Sequence, residues 1–167
     1  MHYSKGLKFA SLLGLVAAIM GTPALASRGS GVTGKILATG DLSEVVNYNH
    51  DRIKIQTKDL VDVRVQQLNF SPGAYTGWHH HPGIVIVTVA AGEITTVDQN
   101  CQTKTYGPNS PNGSVFVEGH DTPMEARSAT GGIVFATYVA PNSGSPSTPL
   151  EYVFRLEDDE VLSCPRP

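Results

Sequence analysis

The sequence predicts an all-β fold, a sandwich or barrel, for most of the 167-residue chain. Short segments rich in Val, Ile, Thr and aromatic residues alternate with clusters of Gly, Pro, Asn and Ser, a pattern typical of many short strands joined by turns. Beyond the N-terminal region there is no helical periodicity of useful length and no internal repeat. The predicted strands are Lys35–Ala38, Arg52–Gln56, Val61–Phe70, Ile84–Ala90, Ile94–Asp98, Ser114–Glu118, Ile133–Val139 and Tyr152–Leu156.

Two of these strands carry further information about how the sheet is built. Along Val61–Phe70 the apolar positions change parity halfway, which predicts a β-bulge near Gln66 and Gln67, a common way to curve a strand around a barrel. In Ile84–Ala90 both faces are apolar apart from Thr88. One face is therefore expected toward the interior and the other to be covered by protein.

The N-terminal residues 1–26 have the three parts of a secretory signal peptide. Lys5 and Lys8 give a positive start, Phe9–Met20 is a mostly apolar core, and Ala24-Leu25-Ala26 is a small-residue cleavage signature. From this signature we expect cleavage after Ala26. A permanent transmembrane helix is not expected, because the apolar run is too short for one. The sequence therefore predicts export to the periplasm or the extracellular space.

Residues 27–167 form the predicted mature protein, a length that suits one domain, with a C-terminal strand and tail at 150–167. Removal of Lys5 and Lys8 leaves 10 basic and 15 acidic residues, a net charge of −5. A mildly acidic surface argues against nucleic acid as the partner. After cleavage, no membrane partner is expected either.

The mature chain contains two cysteines, Cys101 and Cys164. In an oxidising compartment such a pair is more often a disulfide than two free thiols. A bridge between them would pin the C-terminal tail to the body of the domain. On the chain-entropy model it would stabilise the fold by about 4 kcal/mol.

Three of the six histidines are consecutive, at positions 79 to 81. Successive side chains on an extended strand alternate between its faces, so His79 and His81 point one way and His80 the other. Two imidazoles on one face can converge on one ion, and imidazole is a good ligand for Zn, Cu, Fe and Ni. The pair alone is weak support for a metal site, since histidines at the solvated end of a strand give the same pattern.

A longer pattern of fixed spacing runs through the two histidines and consists of Gly73, His79, His81, Val85 and Gly92. Its spacing resembles that of the first motif of the cupin superfamily. The Pro-Gly that follows and the VIVTVAAG run resemble small exported bacterial single-domain cupins, the type-2 conserved barrel, and residues 113–128 align less fully with the second motif. The resemblance covers about residues 35–140 and implies a single jelly-roll-type double-stranded β-barrel, in agreement with the predicted strands.

The resemblance also implies a metal site of three histidines and a glutamate, from which this sequence departs at two positions. Val85 stands where the glutamate would be and Met124 where the third histidine would be, so only His79 and His81 carry over. In one reading His120 completes the site. In a second reading Met124 is a ligand, which would favour cuprous copper because its sulfur is soft. In the third, metal binding is lost and Met124 fills core space.

The implied cofactor is a divalent or cuprous transition metal, namely Fe, Mn, Cu, Ni or Zn. Without the glutamate, ferrous iron or manganese would be held more weakly than in the family pattern. Glu118 and Glu125 are further carboxylates, but strand parity leaves the face of Glu118 ambiguous and neither is assigned a role.

Three functions from different classes remain open. The sequence favours a protein that binds a small molecule inside the barrel, with or without a metal on His79 and His81. The resemblance also implies a metal-dependent oxidoreductase of dioxygenase type, and the third alternative is a periplasmic copper-handling or structural protein. Cupins carry many chemistries, so the fold does not choose among these functions. The resemblance further implies pairing through sheet edges, as in a homodimer.

Overall fold

The structure, a computed structural model, describes residues 28–142, 153–155 and 164 of the chain. Every regular element in these residues is a β-strand, as the sequence predicts. Among them no helix could span a membrane. The signal peptide predicted at 1–26 and most of the predicted C-terminal tail, 150–167, lie outside the described residues. The strands are β1 Ser30–Asp41, β2 Asn47–His50, β3 Ile53–Gln56, β4 Val61–Tyr75, β5 His79–His80, β6 Ile84–Gly92, β7 Ile94–Asp98, β8 Thr103–Tyr106, β9 Val115–Glu118, β10 Met124–Ser128, β11 Gly132–Pro141 and β12 Phe154–Arg155.

Ten of these strands form one sheet, which curves into a nearly closed barrel. Its hydrogen-bonded path runs β12, β5, β10, β4, β11, β6, β9, with β1 paired to β4 and β7 paired to both β10 and β8. Strands β2 and β3 pair only with each other, as a separate hairpin. The all-β, nearly closed barrel fits the jelly-roll fold that the cupin motifs predicted.

The barrel interior is built by strict alternation along β6 and its neighbours. Val85, Val87 and Val89 are 1%, 5% and 2% exposed, whereas Ile84 and Ile86 are 45% and 39% exposed. The prediction that the second face of this strand is covered by protein is therefore wrong. Branched apolar residues fit a pleated strand whether or not its outer face is buried, so an apolar run does not by itself prove burial on both sides.

The bulge predicted at Gln66 and Gln67 lies in the neighbouring strand instead. Strand β4 pairs with β11 without interruption through both residues. The extra residue is Leu37 of β1, opposite the step from Gln66 to Val65. The apolar residues of β4 change parity because Leu68 faces the interior, whereas Val65 lies on the opposite side of the strand.

A second, smaller core contains Trp78, Val97 and Cys164. Cys101 and Cys164 form the predicted disulfide, with Cα atoms 5.3 Å apart and a sequence separation of 63. The bridge therefore ties a residue of the C-terminal tail to the turn that follows β7, next to a buried tryptophan that is 1% exposed.

Candidate metal site

His79, in β5, and His81, the residue directly after β5, have their side chains on the same side of the chain. Their side chains are buried, and their ring centroids are 4.9 Å apart with the planes at 84°. His80 points the other way, and its Nδ1 lies 3.0 Å from Oδ1 of Asp121. The alternation expected of an extended strand therefore holds at this position and leaves two imidazoles, not three, in the interior.

A hydrogen bond to the preceding turn fixes the tautomer of His79. Its Nδ1 lies 2.8 Å from the carbonyl oxygen of Gly77. A carbonyl oxygen only accepts, so Nδ1 carries the proton and donates it, and the lone pair remains on Nε2. Gly77 has a φ of 74°, a left-handed conformation that favours glycine. The turn thus orients His79 as outer hydrogen bonds orient metal-bound histidines.

Glu118, the last residue of β9, brings a carboxylate to the two imidazoles. Its Oε2 lies 2.7 Å from Nε2 of His81, and its side chain is only 8% exposed. One potential ligand atom from each of His79, His81 and Glu118 lies within 4.8 Å of the other two. We call these three residues the His-His-Glu cluster.

The carboxylate of Glu118 reaches the cluster from the position beside Val85. Val85 of β6 and Glu118 of β9 are cross-strand partners, and the side chains of such partners lie on the same face, about 5 Å apart at Cβ. A glutamate at position 85 would project into the same region. The structure therefore places a carboxylate beside the position where Val85 replaces the glutamate that the resemblance implies.

His120 lies near the cluster in the backbone but not in its side chain. Its backbone bridges to that of His81, while its side chain is 61% exposed and its Nδ1 lies 3.2 Å from Oδ2 of Asp121. Asp121 thus contacts both His120 and His80 on the surface. The structure does not bring His120 to His79, since the imidazole points toward solvent.

Met124 is buried in the barrel core, at the start of β10. It is the cross-strand partner of His79. Among the described residues that line the histidine cavity, however, Met124 is absent. It lines a smaller neighbouring cavity of about 160 Å³ with Thr122 and Pro123. This position suits the core-filling role considered for Met124.

The cluster faces a cavity of about 260 Å³ inside the barrel. The wall of this cavity contains both polar and apolar side chains. The polar lining residues are Gln66, Tyr75, Thr76, His79, His81, Glu118 and Tyr138. The larger apolar lining residues are Val32, Leu68, Phe70, Val87, Ile94, Phe116, Val134 and Val153.

Tyr138 of β11 stands beside the cluster. Its ring meets that of His81 edge-on, with centroids 5.6 Å apart, and its side chain is buried. Burial raises the pKa of the Tyr138 hydroxyl well above its usual range, the charge of Glu118 raises it further, and Arg64 partly offsets both. The hydroxyl therefore remains protonated at neutral pH.

The donor set of the cluster is compatible with a transition metal. Two imidazole nitrogens and one carboxylate oxygen are ligands for Fe, Mn, Zn, Ni and Cu(II), and three protein ligands leave coordination positions for water or a small molecule. The tautomer of His79 presents the unprotonated nitrogen that such an ion requires.

Two residues of this site were not assigned from the sequence. Glu118 shares its strand face with Phe116, which is buried, while Val115 and Val117 are exposed on the other face. The aromatic residue two positions earlier was thus a usable signal for an inward Glu118. In the same way, Tyr138 shares the buried face of β11 with Ala136, two positions earlier.

No family model matches this chain, and no curated protein matches it. Solved structures similar to it include a cupin superfamily protein from Desulfitobacterium hafniense, 12% identical, covering 70% of this chain and 84% of that chain with a TM-score of 0.47. KdgF from Halomonas sp. is 20% identical and covers 68% of this chain and 82% of that chain, with a TM-score of 0.46.

Salicylate 1,2-dioxygenase from Pseudoaminobacter salicylatoxidans is 18% identical over 45% of this chain, with a TM-score of 0.39. This chain spans only 19% of the length of that dioxygenase. At these identities the likeness concerns the fold alone, and no activity is taken from it.

Proposed function

We propose that the protein binds a divalent transition metal through His79, His81 and Glu118 and presents it to a small molecule in the barrel cavity. The observation that carries the proposal is the convergence of one potential ligand atom from each residue to within 4.8 Å in a largely buried site. Two histidines and one carboxylate with open positions are the donor set of non-haem Fe(II) oxygenases. The more specific proposal is therefore a metal-dependent oxidoreductase of dioxygenase type.

The residues of the chain have separate tasks in this proposal. A bound metal would supply Lewis acidity and, if it is iron, redox chemistry. The Gly77 carbonyl keeps His79 in the tautomer that offers Nε2. Glu118 supplies the negative charge that balances part of the ion's charge in a buried site. The apolar wall of the cavity excludes bulk water and accepts the body of the small molecule.

The donor set also ranks the metals. A carboxylate oxygen is a hard ligand that suits Fe(II), Mn(II) and Zn(II), whereas cuprous copper selects soft sulfur. Met124 is absent from the described lining of the histidine cavity. Copper handling through a thioether is therefore less well supported than binding of a divalent ion.

A second candidate function needs no metal. Nε2 of His81 and Oε2 of Glu118 are 2.7 Å apart, a distance at which an imidazolium and a carboxylate form a direct ion pair. In this reading the pair is structural, and the barrel binds a small molecule through the cavity alone. This candidate is favoured if the purified protein takes up no metal.

Metal analysis of the natively exported protein, purified without chelator, distinguishes the two candidates. We expect near-stoichiometric metal in the unaltered protein and its loss in Glu118→Gln. Glu93→Gln, at an exposed glutamate, is the matched control and should retain the metal. Absence of metal after reloading with Fe, Mn, Cu, Ni and Zn would overturn the metal proposal and leave the second candidate.

We further propose that residues 27–167 act as one exported domain after cleavage behind Ala26. The disulfide between Cys101 and Cys164 supports an oxidising compartment. The expected mature N-terminus, Ser27, can be read by mass spectrometry of the exported protein. A protein that keeps Met1 after export would contradict this proposal.

Self-association is also proposed, with a second copy of the chain as the partner. Ile86 and Val117 are cross-strand partners on the outer face of β6 and β9 and are 39% and 62% exposed. Val115 and Ile84 extend the same apolar surface, and β9 ends the hydrogen-bonded path of the sheet. Contiguous exposed apolar residues beside a sheet edge are typical of an interaction surface.

A further inference from the structure

We infer that Asp121 is a positioning residue for the candidate metal site. It lies in the five-residue loop between β9 and β10, residues 119–123, and holds the carboxylate of Glu118 at its place beside His81. This role rests on the proposed metal site, whose ligands Asp121 keeps together. It follows from the strand order of the sheet and from the contacts of that loop.

The His-His-Glu cluster lies across the place where the sheet closes on itself. Strand β5 carries His79 and is next to one end of the hydrogen-bonded path, whereas β9 carries Glu118 and forms the other end. Four strands, β10, β4, β11 and β6, separate β5 from β9 along this path. Oε2 of Glu118 is nevertheless 2.7 Å from Nε2 of His81. We call the gap between β5 and β9 the seam of the barrel.

The backbone of the loop that follows Glu118 crosses this seam. His120 forms an isolated parallel bridge with His81, and the N–H of Asp121 donates to the carbonyl oxygen of His81 over 3.1 Å. Glu118 and Asp121 are three residues apart, a stretch that spans at most about 11 Å. The bond from Asp121 to His81 therefore limits how far the carboxylate of Glu118 can withdraw from the imidazole.

The backbone conformation that presents this N–H suits an aspartate. Asp121 has a φ of 48°, in the left-handed region, where asparagine and aspartate are enriched several-fold among residues other than glycine. Glycine adopts this conformation without strain, whereas the Cβ of alanine makes it costly. Replacement by alanine therefore favours a different path of the loop, while asparagine and glycine allow it to keep its path.

The carboxylate of Asp121 provides a second connection across the seam. Its Oδ1 lies 3.0 Å from Nδ1 of His80, and its Oδ2 lies 3.2 Å from Nδ1 of His120. A carboxylate accepts hydrogen bonds, so each imidazole donates from Nδ1. His80 belongs to β5 and His120 to the loop, so one side chain joins the two sides. Because this side chain is 59% exposed, we expect it to affect ligand placement more than stability.

Substitutions at Asp121 test the positioning role on the cobalt-loaded protein. Asp121→Ala should weaken Co²⁺ binding about tenfold, the effect expected when a group that orients a metal ligand is lost. Asp121→Asn keeps the backbone conformation and an accepting oxygen and should restore most of the affinity. Asp51→Ala is the matched control, because Asp51 is also exposed, has a φ of 49° and lies in the turn of the separate β2–β3 hairpin.

The visible spectrum of bound Co²⁺ separates positioning from a general loss of stability. At saturating Co²⁺ the band intensities should change in Asp121→Ala, because a displaced carboxylate alters the coordination geometry. They should stay the same in Asp121→Asn and Asp51→Ala. Asp121→Gly carries the test if Asp121→Ala does not fold, since glycine adopts the same φ. It removes both imidazole contacts and should also weaken Co²⁺ binding and change the spectrum.

Amide hydrogen exchange of the metal-free protein tests the same contacts without a metal. Peptides that cover residues 79–81 and 118–121 should exchange faster in the alanine and glycine variants of Asp121 and at the normal rate in Asp51→Ala. Unchanged Co²⁺ affinity and spectrum in both variants would overturn the positioning role. If the unaltered protein binds no Co²⁺, the metal proposal fails instead, and unchanged exchange at the seam would then overturn the role of Asp121.

Discussion

Val85 of β6 and Glu118 of β9 are direct cross-strand partners whose side chains face the same barrel interior. Through this pairing the carboxylate of Glu118 comes within 2.7 Å of His81, although the residue lies more than 30 positions later in the chain. A carboxylate at position 85 or at position 118 would therefore face the same part of the barrel interior, because cross-strand partners present their side chains on one face.

Exchange of these two residues tests that equivalence. Glu118→Val should lower the metal affinity roughly 100-fold or more, because a buried ion loses its only anionic ligand. Adding Val85→Glu to this variant should restore most of the affinity, measured by calorimetric titration with Zn²⁺ or Co²⁺. Val87→Glu in the same background is the matched control, since position 87 lies two residues further along β6 and pairs with Phe116 rather than with position 118. A double variant that binds no better than Glu118→Val would contradict the equivalence.

The four histidines around the site should respond differently to removal. His79→Ala and His81→Ala should each abolish stoichiometric metal binding, since two ligands rarely hold a divalent ion in a protein. His80→Ala and His120→Ala, which remove side chains that contact Asp121, should leave the metal content unchanged. Loss of metal from His120→Ala alone would show that this side chain turns inward in the loaded protein.

Met124→Leu should keep the metal. The exchange conserves volume in the core, so we expect a loss of less than about 1.5 kcal/mol in the free energy of unfolding. Urea denaturation and metal analysis measure the two quantities on one sample. A selective loss of Cu(I) affinity, with Zn²⁺ affinity retained, would favour the thioether reading of the site instead.

Loss of the disulfide should destabilise the domain without changing the metal site. Cys101→Ser with Cys164→Ser removes a cross-link with a sequence separation of 63 residues, and the chain-entropy model gives a cost of about 4 kcal/mol. Urea denaturation should show this loss, and a reducing agent should have no effect on the double variant. Free thiols in the exported, unreduced protein would speak against the bridge.

A charge on the outer face of β9 should disrupt self-association. Val117→Lys buries an unpaired ammonium in any interface formed by this surface, so the dimer expected from light scattering should become a monomer. Ile55→Lys, on the separate β2–β3 hairpin and equally apolar and exposed at 56%, controls for the general effect of added charge. An unaltered protein that is monomeric at all concentrations would refute the proposed pairing.

The eight predicted strands all overlap strands of the described residues, and β5 matches the extended segment expected at the histidines. Three strands of the described residues, β2, β8 and β10, were not predicted. Strand β10 shows why. Glu125 and Arg127 are both buried on it, where Nε of Arg127 contacts Oε1 of Glu125. A charged residue at every second position indicates a solvated face when only local sequence is considered. Its burial depends on the partner charge and on the neighbouring strand β7, where Val97 is the cross-strand partner of Glu125.

The residues of the candidate site also differ in how far the sequence predicts their positions. His79 and His81 were predictable as an inward pair, because alternation along a strand is a property of neighbouring residues. Whether His120, Met124 or neither completes the site stayed open, since their side-chain directions depend on a turn and on a core that sequence spacing does not specify. Glu118, the third residue of the His-His-Glu cluster, carried only the weak signal of its parity with Phe116.

The sequence by itself determined the all-β character of the barrel, the inward direction of His79 and His81 and the availability of two cysteines for a bridge. These properties follow from strand propensity, from the two-residue repeat of the backbone and from composition. Only the tertiary structure decided that Glu118 stands beside Val85 and completes the cluster with a carboxylate. The physical reason is that the register between β6 and β9 is set by hydrogen bonding and packing between distant segments, which no local pattern contains.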